Sequence, residues 1–382
     1  MNATAYHLEA RAPFHFGLRG VGIEETAAHA PSDTLFSALC YAIRQQFSAA
    51  TLEEFLSTYT AGQPALILSS GFPYVLARRE DQVEGWQAPE LLDPTQVVRF
   101  FPRPLEPPPG VSDDAEQRKR VKRIAWLSEG IFRTWVDGGD LGGHFSENNL
   151  VQGGQAWLTA REREAVAGWR DEETDAIRFW AVGEVPRVTV DRRASTSQIY
   201  QAGRVWFQPG CGLWLLAQWR EDWRTRGELA LRVLGDAGIG GERSAGHGQF
   251  RVHGPHSLSP LPDPTPGKRF VTLSLYYPAR DELAEVLGGD GVRYRLQVRR
   301  GWMASPDASQ SSDGKTVRGS GLRRKAVRMV GEGSLLRWPE GKTFVGTLAD
   351  VTPEAFTAHT VWRYGLVFPV GYHALEKEAG DE

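Results

Sequence analysis

Cysteine is scarce in this chain of 382 residues, which holds only Cys40 and Cys211, far apart and without a companion at metal-ligand spacing. This scarcity argues against a disulfide framework and against a cysteine-based zinc site, and it favours a reducing cytoplasm. Long hydrophobic runs are also missing, since no stretch approaches the roughly 18–20 apolar residues that a membrane span needs. The N-terminus has no basic region followed by an apolar one, so we expect neither a signal peptide nor membrane association.

A surplus of charge of either sign is also absent. Lysine and arginine number 44 against 47 aspartate and glutamate residues, a formal net charge of -3. Such a balance argues against a protein that coats nucleic acid indiscriminately, although it permits a local basic groove. The length allows two or three domains of roughly 100–200 residues each.

The pattern of elements predicts an α+β fold. Residues 1–254 predict the order strand, helix, strand, strand, helix, strand, which is typical of a ferredoxin-like (RRM-like) domain, interrupted by an insertion at about 85–185. A proline-rich segment near 254–267 predicts a boundary. Residues 268–382 predict a second ferredoxin-like domain in tandem, with only a short helical signal at Pro353–Phe356 for its second helix.

A glycine-rich loop between a helix and a strand is the most distinctive local feature. The stretch "GIGGERSAGHGQF" (238–250) holds five glycines in thirteen residues. Glycine lacks a Cβ and tolerates positive φ, so backbone N–H groups in such a loop can approach phosphate oxygens. Arg243 adds a planar fork for phosphate, Ser244 a hydroxyl donor, and His247 a donor or a stacking ring. A turn that merely reverses the chain is the alternative.

Other phosphate-binding motifs fit this loop less well. The dinucleotide fingerprint follows a strand and opens a helix, and the P-loop ends in Gly-Lys-Ser/Thr. Here the loop follows a helix and precedes a strand, and no such lysine is present.

The candidate catalytic groups are histidines and carboxylates. His15, His29 and His247 are candidate general acids or bases for RNA cleavage, but cleavage without metal needs two such groups close together. Ser32 or Asp33 is predicted to cap the first helix, which explains Asp33 without chemistry. The two Gly-Gly-Asp turns lack a second carboxylate for two-metal chemistry. We therefore predict no catalytic residue, no metal site and no cofactor.

Several stretches together carry a family resemblance. "GIGGERSAGHGQF" resembles the glycine-rich loop of the RAMP superfamily, the ferredoxin-like proteins of CRISPR effector complexes. Five further stretches resemble the fourth subunit of the type III-A (Csm) complex, in the same order along the chain: "HAPSDTLFSALCYAI", "PRPLEPP" with "RKRVKRIAWLSEGIF", "VPRVTVDRRASTSQIY", "VRMVGEGSLL" and "TVWRYGLVFPV". One departure is the insertion of Ala30 and Pro31 between His29 and Ser32, which argues against a direct role for His29.

The resemblance implies a non-catalytic antiviral-defence subunit that grips the 5′ handle of the CRISPR RNA (crRNA). It further implies a bridge between the large polymerase-like subunit and the backbone RAMP subunit. Two alternatives stay open: a metal-independent endoribonuclease that processes CRISPR repeats with His29 or His247, and the equivalent subunit of the related Cmr complex.

RNA single strands are held by backbone contacts, stacked aromatics and arginines, which selects the expected contact residues. A polar-tipped hairpin and a basic helical run supply them in addition to the loop. Each has a plainer interpretation: Arg187 pairs with a local carboxylate, Tyr200 packs in the hairpin, and the run "RKRVKR" is a solvated helix face. The RNA-binding residues predicted are Lys119, Lys122, Arg187, Arg192, Arg193, Tyr200, Gly240, Gly241, Arg243, Ser244, Gly246, His247 and Gly248.

Overall fold

The structure is a computed structural model, and it describes residues 3–17, 26–80, 85–191, 196–310 and 316–373. None of the helices in these ranges is long and apolar enough to cross a membrane.

Seven helices are found in the described ranges. Their bounds are α1 (Ser32–Gln46), α2 (Ala49–Thr60), α3 (Ala115–Arg123), α4 (Glu129–Val136), α5 (Ala160–Ala165), α6 (Glu221–Ala237) and α7 (Leu283–Leu287).

Strands are more numerous and mostly short. In chain order they are β1 (Thr4–Ala10), β2 (Leu66–Leu68), β3 (Phe72–Leu76), β4 (Val97–Pro102), β5 (Trp126–Ser128), β6 (Leu150–Val151), β7 (Ala156–Trp157), β8 (Trp180–Asp191), β9 (Thr196–Phe207), β10 (Gly212–Trp219), β11 (Phe250–Ser257), β12 (Arg269–Thr272), β13 (Leu296–Arg299), β14 (Ala308–Gln310), β15 (Thr316–Arg318), β16 (Val327–Val330), β17 (Leu335–Arg337), β18 (Ala349–Asp350), β19 (Trp362–Arg363) and β20 (Pro369–Gly371).

The first half is built around a sheet in which β11, β1 and β10 are neighbours, with β2 and β3 on the far side of β10. All of these pairings are antiparallel. Tyr6 and Leu8 of β1 pack with apolar residues of α1 and α6, whereas the alternate residue Ala5 belongs to the core on the other face. Along the chain the elements of this sheet run β1, α1, α2, β2 and β3, β10, α6 and β11. The second strand of the predicted strand–helix–strand–strand–helix–strand order is therefore supplied by β2 and β3. The hairpin β8–β9 is not part of this sheet and forms a two-stranded sheet of its own.

The predicted insertion extends this sheet. Beyond β3 the sheet continues through β4, β5, β7 and β6. The charged stretch 161–176 of the insertion looks like a solvated loop in the sequence, but the structure shows otherwise. It contains most of α5, which begins at a capping box formed by Thr159 and Glu162. It also contains Trp169, which is buried and donates its indole N–H to the Leu76 carbonyl at 2.8 Å.

The second half contains a three-stranded sheet in the order β17-β12-β20 and several two-stranded ribbons. The helix expected at Pro353–Phe356 is not formed. The segment is a turn closed by one bond from the Phe356 amide to the Pro353 carbonyl at 3.0 Å, because so short a stretch cannot add a second helical turn. Both main hydrophobic clusters include residues of the second half, among them Phe368 and Tyr364, so the halves share their cores.

The start of α1 also differs from the prediction. Pro31 is the residue that precedes the helix, its carbonyl accepts from the amides of Thr34 and Leu35, and no side chain caps the helix. Ser32 and Asp33 therefore lie inside the first turn and are buried. The Ser32 hydroxyl accepts from the Leu275 amide at 3.0 Å, so this turn faces the second half of the chain rather than its own N-terminal amides.

Trp214 is among the largest fully buried side chains. It is fully buried on β10, stacks edge-on against Phe101 at 4.9 Å and donates to the Phe100 carbonyl at 2.9 Å. We predict that Trp214→Ala lowers the free energy of unfolding by about 3–5 kcal/mol in urea titrations. Trp302, which is 55% exposed, is the matched control, and Trp302→Ala should stay within about 0.5 kcal/mol of the parent protein. Equal losses would contradict this placement of the core.

Candidate nucleic-acid interface

A cleft of about 810 Å³ lies between the two halves. The first half contributes the glycine-rich loop, the first turns of α1 and the start of β9 around Tyr200. The second half contributes residues 299–302, Ala304, residues 323 and 324, and Arg363. The cleft is thus a composite of segments from both halves, and α1 lies more than 250 residues before the second-half segments in the sequence.

Arginine dominates the lining of this cleft. The only carboxylates among the described lining residues are Asp33 and Glu242. The arginines outnumber them and come mostly from the second half: Arg243, Arg299, Arg300, Arg323, Arg324 and Arg363. A chain with a net charge of -3 therefore concentrates positive charge at one concave surface, which favours an anionic ligand.

Asp33 binds two of these arginines at the floor of the cleft. Arg299 forms a bidentate pair, with Nη2 at 2.9 Å from Oδ1 and Nε at 3.1 Å from Oδ2. Arg363 donates to Oδ2 from its Nη1. Burial acts to raise the pKa of Asp33, but the guanidinium groups of Arg299 and Arg363 outweigh it and hold the pKa below its ordinary value. The carboxylate is therefore charged at neutral pH.

Arg324 adds charge that no contacting carboxylate neutralises within the described residues. Its Nε donates to the Trp302 carbonyl at 3.2 Å, and its Nη1 donates to the Ser37 hydroxyl at 3.1 Å, both neutral acceptors. Burial, followed by repulsion from Arg363, lowers the pKa of Arg324 to about 10. The side chain still carries its proton at neutral pH, so the floor of the cleft has a surplus of positive charge.

Two arginines stand over aromatic rings at the rim of the cleft. Arg243 lies 5.4 Å from the centre of the Tyr41 ring, and Arg323 lies 4.7 Å from that of Trp302. Flat cationic and aromatic groups of this kind are surfaces on which unpaired bases stack.

The glycines of the loop serve first its own packing against residues 13–16. A Cβ on Gly240 would lie 2.3 Å from the His15 carbonyl oxygen, and one on Gly248 would lie 2.1 Å from that of Ile239. The amide of Gly241 donates to His15, and that of Gly248 to Pro13, each at 2.9 Å. These two amides are therefore already bonded and are not free for phosphate.

The crown of the loop is different. Arg243–Ala245 form a 3₁₀ turn flanked by Glu242 and Gly246, which are both in the left-handed region. Ser244 is exposed, and a Cβ on Gly246 would meet open space. Within the described ranges no acceptor is found for the amides of Arg243 and Ser244. The crown therefore offers amide donors together with the Arg243 guanidinium.

The predicted hairpin is present and is tied to the loop. β8 and β9 pair in antiparallel register, with Arg187 directly opposite Tyr200. Among the described residues Arg187 has no carboxylate partner, and its Nη2 lies 2.9 Å from His247 Nε2. Burial, followed by the nearby Arg204 and Arg187, lowers the pKa of His247. The imidazole is therefore neutral at pH 7. Arg192 and Arg193 lie outside the described residues.

Lys119 and Lys122 lie away from this site. Both are exposed on α3, a helix with no buried residue, capped by Asp114. The same helix face holds an exposed pair between Arg120 and Glu116 at 3.0 Å. None of its residues lines the cleft.

The candidate histidines His29 and His15 have different surroundings. His29 lies 3.8 Å from Glu332 and edge-on to Trp126, outside the cleft lining. His15 is buried with its Nδ1 at 2.7 Å from the Gly203 carbonyl. In the portion of the chain that the structure describes, no cluster of His, Cys, Asp or Glu is arranged to hold a metal.

The arginines of the second half were missed by sequence reasoning. Their signal is two arginine doublets, at 299–300 and 323–324. Neither doublet belongs to a motif, and nothing in the sequence joins them to a glycine loop more than fifty residues earlier.

The buried carboxylate at the cleft floor gives a pH-dependent prediction. Because the pKa of Asp33 is depressed in the folded state, its contribution to stability is present above about pH 4, the unfolded value, and is lost as pH falls further. We predict that Asp33→Asn lowers the free energy of unfolding by about 3–5 kcal/mol at pH 7, since it leaves buried guanidinium groups without their counter-charge. Urea titrations from pH 7 to pH 3 should show this difference shrinking at the acid end.

The exposed pair of Arg220 and Asp222 provides the control. Asp222→Asn should leave stability close to that of the parent protein, because solvent screens an exposed pair. If Asp33→Asn is as mild, the buried pair does not hold the halves together.

The amino-acid sequence is similar to those of known proteins. Residues 265–372 match the family model described as the CRISPR Csm4 C-terminal domain. The chain is 26% identical over 343 residues to the CRISPR system Cms protein Csm4 of Mycobacterium tuberculosis (strain CDC 1551 / Oshkosh), covering 88% of each protein. It is 25% identical over 356 residues to the protein of the same description from Thermococcus onnurineus (strain NA1), covering 90% of this chain and 92% of that one.

Solved structures agree on the fold. A chain of the crystal structure of the Csm3-Csm4 subcomplex of the type III-A CRISPR-Cas interference complex aligns with a TM-score of 0.61 and 14% identity, covering 97% of this chain and 99% of that one. A chain of the Csm1-Csm4 cassette in complex with cA4 aligns with a TM-score of 0.51 and 19% identity, covering 97% of each. The predicted resemblance is thus confirmed: residues 265–372 match the model of the Csm4 C-terminal domain, and the chain is similar to Csm4 proteins over nearly its whole length.

Proposed function

We propose that this protein is a non-catalytic, RNA-binding scaffold subunit of a type III-A CRISPR effector complex, and that it grips the 5′ handle of the crRNA in the cleft between its halves. The observation that carries the proposal is the composition of the cleft: six arginines against two carboxylates, rimmed by the crown of the glycine loop.

The cleft suits a single RNA strand better than a duplex. A single strand exposes bases that can stack on Tyr41, Trp302 and the arginines beside them, while its phosphates meet the remaining guanidinium groups. The exposed crown of the glycine loop, with Arg243 and Ser244, suits a phosphodiester at the mouth of the cleft. Arg187 and Tyr200 extend the same surface along the hairpin.

The proposed partners follow from the relatives. The solved structures similar to this chain are described as Csm4 with Csm3 and as Csm4 with Csm1. We propose that this chain likewise bridges a backbone RAMP subunit and a large polymerase-like subunit. The match of residues 265–372 to the Csm4 model favours the Csm type over the Cmr equivalent.

The proposal includes the domain organisation. The order β11-β1-β10-β2/β3 with α1 and α6 supports a ferredoxin-like domain in residues 1–254. For residues 268–382 the support is the three-stranded sheet and the short helix α7. We propose two such domains that pack through shared cores.

The absence of turnover is also part of the proposal. A nuclease using His29 or His247 needs a second acid–base group at the same phosphate. These two histidines have different surroundings, with Glu332 and Trp126 beside His29 and with Arg187 and the glycine loop beside His247, which argues against their acting together. Cleavage of bound RNA would therefore count against the scaffold and for the nuclease.

Two rim arginines provide the test. We predict that Arg243→Ala and Arg323→Ala, in the assembled complex, each weaken binding of a repeat-derived RNA by about 5–30-fold, since each removes a stacking surface or a phosphate contact. The slope of log affinity against log salt should also become shallower for a side chain that contacts phosphate. The RNA should remain intact throughout.

Arg226→Ala is the matched control. Arg226 lies on α6 and does not line the cleft. Its guanidinium stacks on Trp223 at 3.9 Å and pairs with Glu54. This substitution should leave RNA affinity unchanged. If all three variants bind RNA equally, the cleft is not the RNA site.

A further inference from the structure

Arg204 is a buried arginine of the hairpin, and some of its N–H donors have no hydrogen-bond acceptor among the described residues. It lies on β9, is 7% exposed, and its Nε and Nη2 have no hydrogen-bond acceptor in the described residues. A guanidinium cannot shed its proton at physiological pH, so a buried one needs an acceptor or a counter-charge.

Two neighbours share this shortage of acceptors. Because Arg187 opposes Tyr200, and because residues two apart on a strand share a face, Arg187, Tyr200 and Arg204 lie on one face of the hairpin. Arg187 reaches from this face to His247 of the glycine loop. Its own Nε is buried and unpartnered, as is His247 Nδ1.

The tautomer of His247 follows from its contact with Arg187. A guanidinium only donates, so His247 Nε2 must be the accepting nitrogen and Nδ1 must carry the hydrogen. Among the described residues, four donor nitrogens on three side chains thus lack acceptors: Nε of Arg187, Nε and Nη2 of Arg204, and Nδ1 of His247.

The charges around these groups do not supply the missing acceptor. Burial, followed by repulsion from Arg187, lowers the pKa of Arg204, and Glu242 is the carboxylate that opposes this effect. The Glu242 carbonyl accepts from the His247 amide at 3.4 Å. Among the described residues, however, the Glu242 carboxylate has no hydrogen bond or ion pair with the side chains of Arg204, Arg187 or His247. The site therefore has more donors and more positive charge than its own side chains satisfy.

We propose that Arg187, Arg204 and His247 form a subsite for one phosphodiester group of the bound RNA, at the junction of the hairpin and the glycine loop. The non-bridging oxygens of a phosphodiester share one negative charge and accept several hydrogen bonds, which matches an arginine fork beside a second donor. This inference rests on the proposed function, and it adds Arg204, which the sequence did not indicate, to the RNA contacts.

A cycle between protein and RNA tests the assignment in the assembled complex. The probe is a repeat-derived RNA in which one phosphate at a time is replaced by a neutral methylphosphonate. For the parent protein we expect one linkage whose replacement weakens binding by about tenfold or more. Arg204→Met should weaken binding of the unmodified RNA similarly, and should show no further loss at that linkage.

Two variants serve as controls. Arg251→Met replaces an exposed arginine of β11 and should leave every linkage with the parent's profile. Arg204→Lys keeps the positive charge but lacks the planar guanidinium, so it should bind RNA more tightly than Arg204→Met and less tightly than the parent. It also provides a second variant in case Arg204→Met impairs folding.

The outcomes separate the two proposals. If no linkage couples to Arg204 while Arg243→Ala still weakens binding, the phosphate subsite is wrong and the RNA-binding cleft stands. If phosphate raises the melting temperature of the parent but not of Arg204→Met, again without coupling to a linkage, the site takes a free anion and the assignment to RNA is overturned. If the parent complex binds no RNA, both proposals fail.

Discussion

The contact between Asp33 and its arginines is the constraint on which the arrangement of the cleft depends. Asp33 sits in the first turn of α1, whereas Arg299 and Arg363 come from β13 and β19 in the second half. A buried carboxylate that binds two guanidinium groups cannot move far without leaving charge unpaired. It therefore fixes the arginines of the second half relative to the glycine loop of the first.

Other polar contacts between the halves support the same placement. The Tyr364 hydroxyl accepts from the Leu68 amide at 2.8 Å, and Ser70 donates to Glu332 at 2.6 Å. Apolar residues of both halves then close over these contacts in shared clusters. Asp33 pairs with Arg299 and Arg363 only. The positive charges of Arg300, Arg323 and Arg324 are left over, and these residues also line the cleft. A protein with a slightly negative overall charge can in this way attract an anionic strand to one place.

Features encoded by local pattern were predictable from the sequence, and features made by distant segments were not. The glycine loop, the presence of a polar-tipped hairpin and the helix α1 follow from turn residues, strand patterning and apolar spacing, whereas the register that places Arg187 opposite Tyr200 comes from the structure. Asp33 was misassigned because Ser-Asp at a helix start is typical of a cap. Because the helix already begins directly after Pro31, Asp33 lies inside the first turn and its side chain binds Arg299 instead of capping the helix. That partner lies 266 residues away, and no local pattern can indicate it. Arg204 was likewise invisible, because its burial depends on how the hairpin lies over the glycine loop.

The central claim, that the cleft between the halves holds the RNA, is tested most directly by photo-crosslinking. The assembled complex would be irradiated with a repeat-derived RNA carrying 4-thiouridine at successive handle positions, and the attached peptides identified by mass spectrometry. The account predicts crosslinks to peptides that contain Tyr41, Tyr200 or Trp302, from both halves of the chain. Crosslinks confined to other subunits, or to the exposed helix α3, would contradict it.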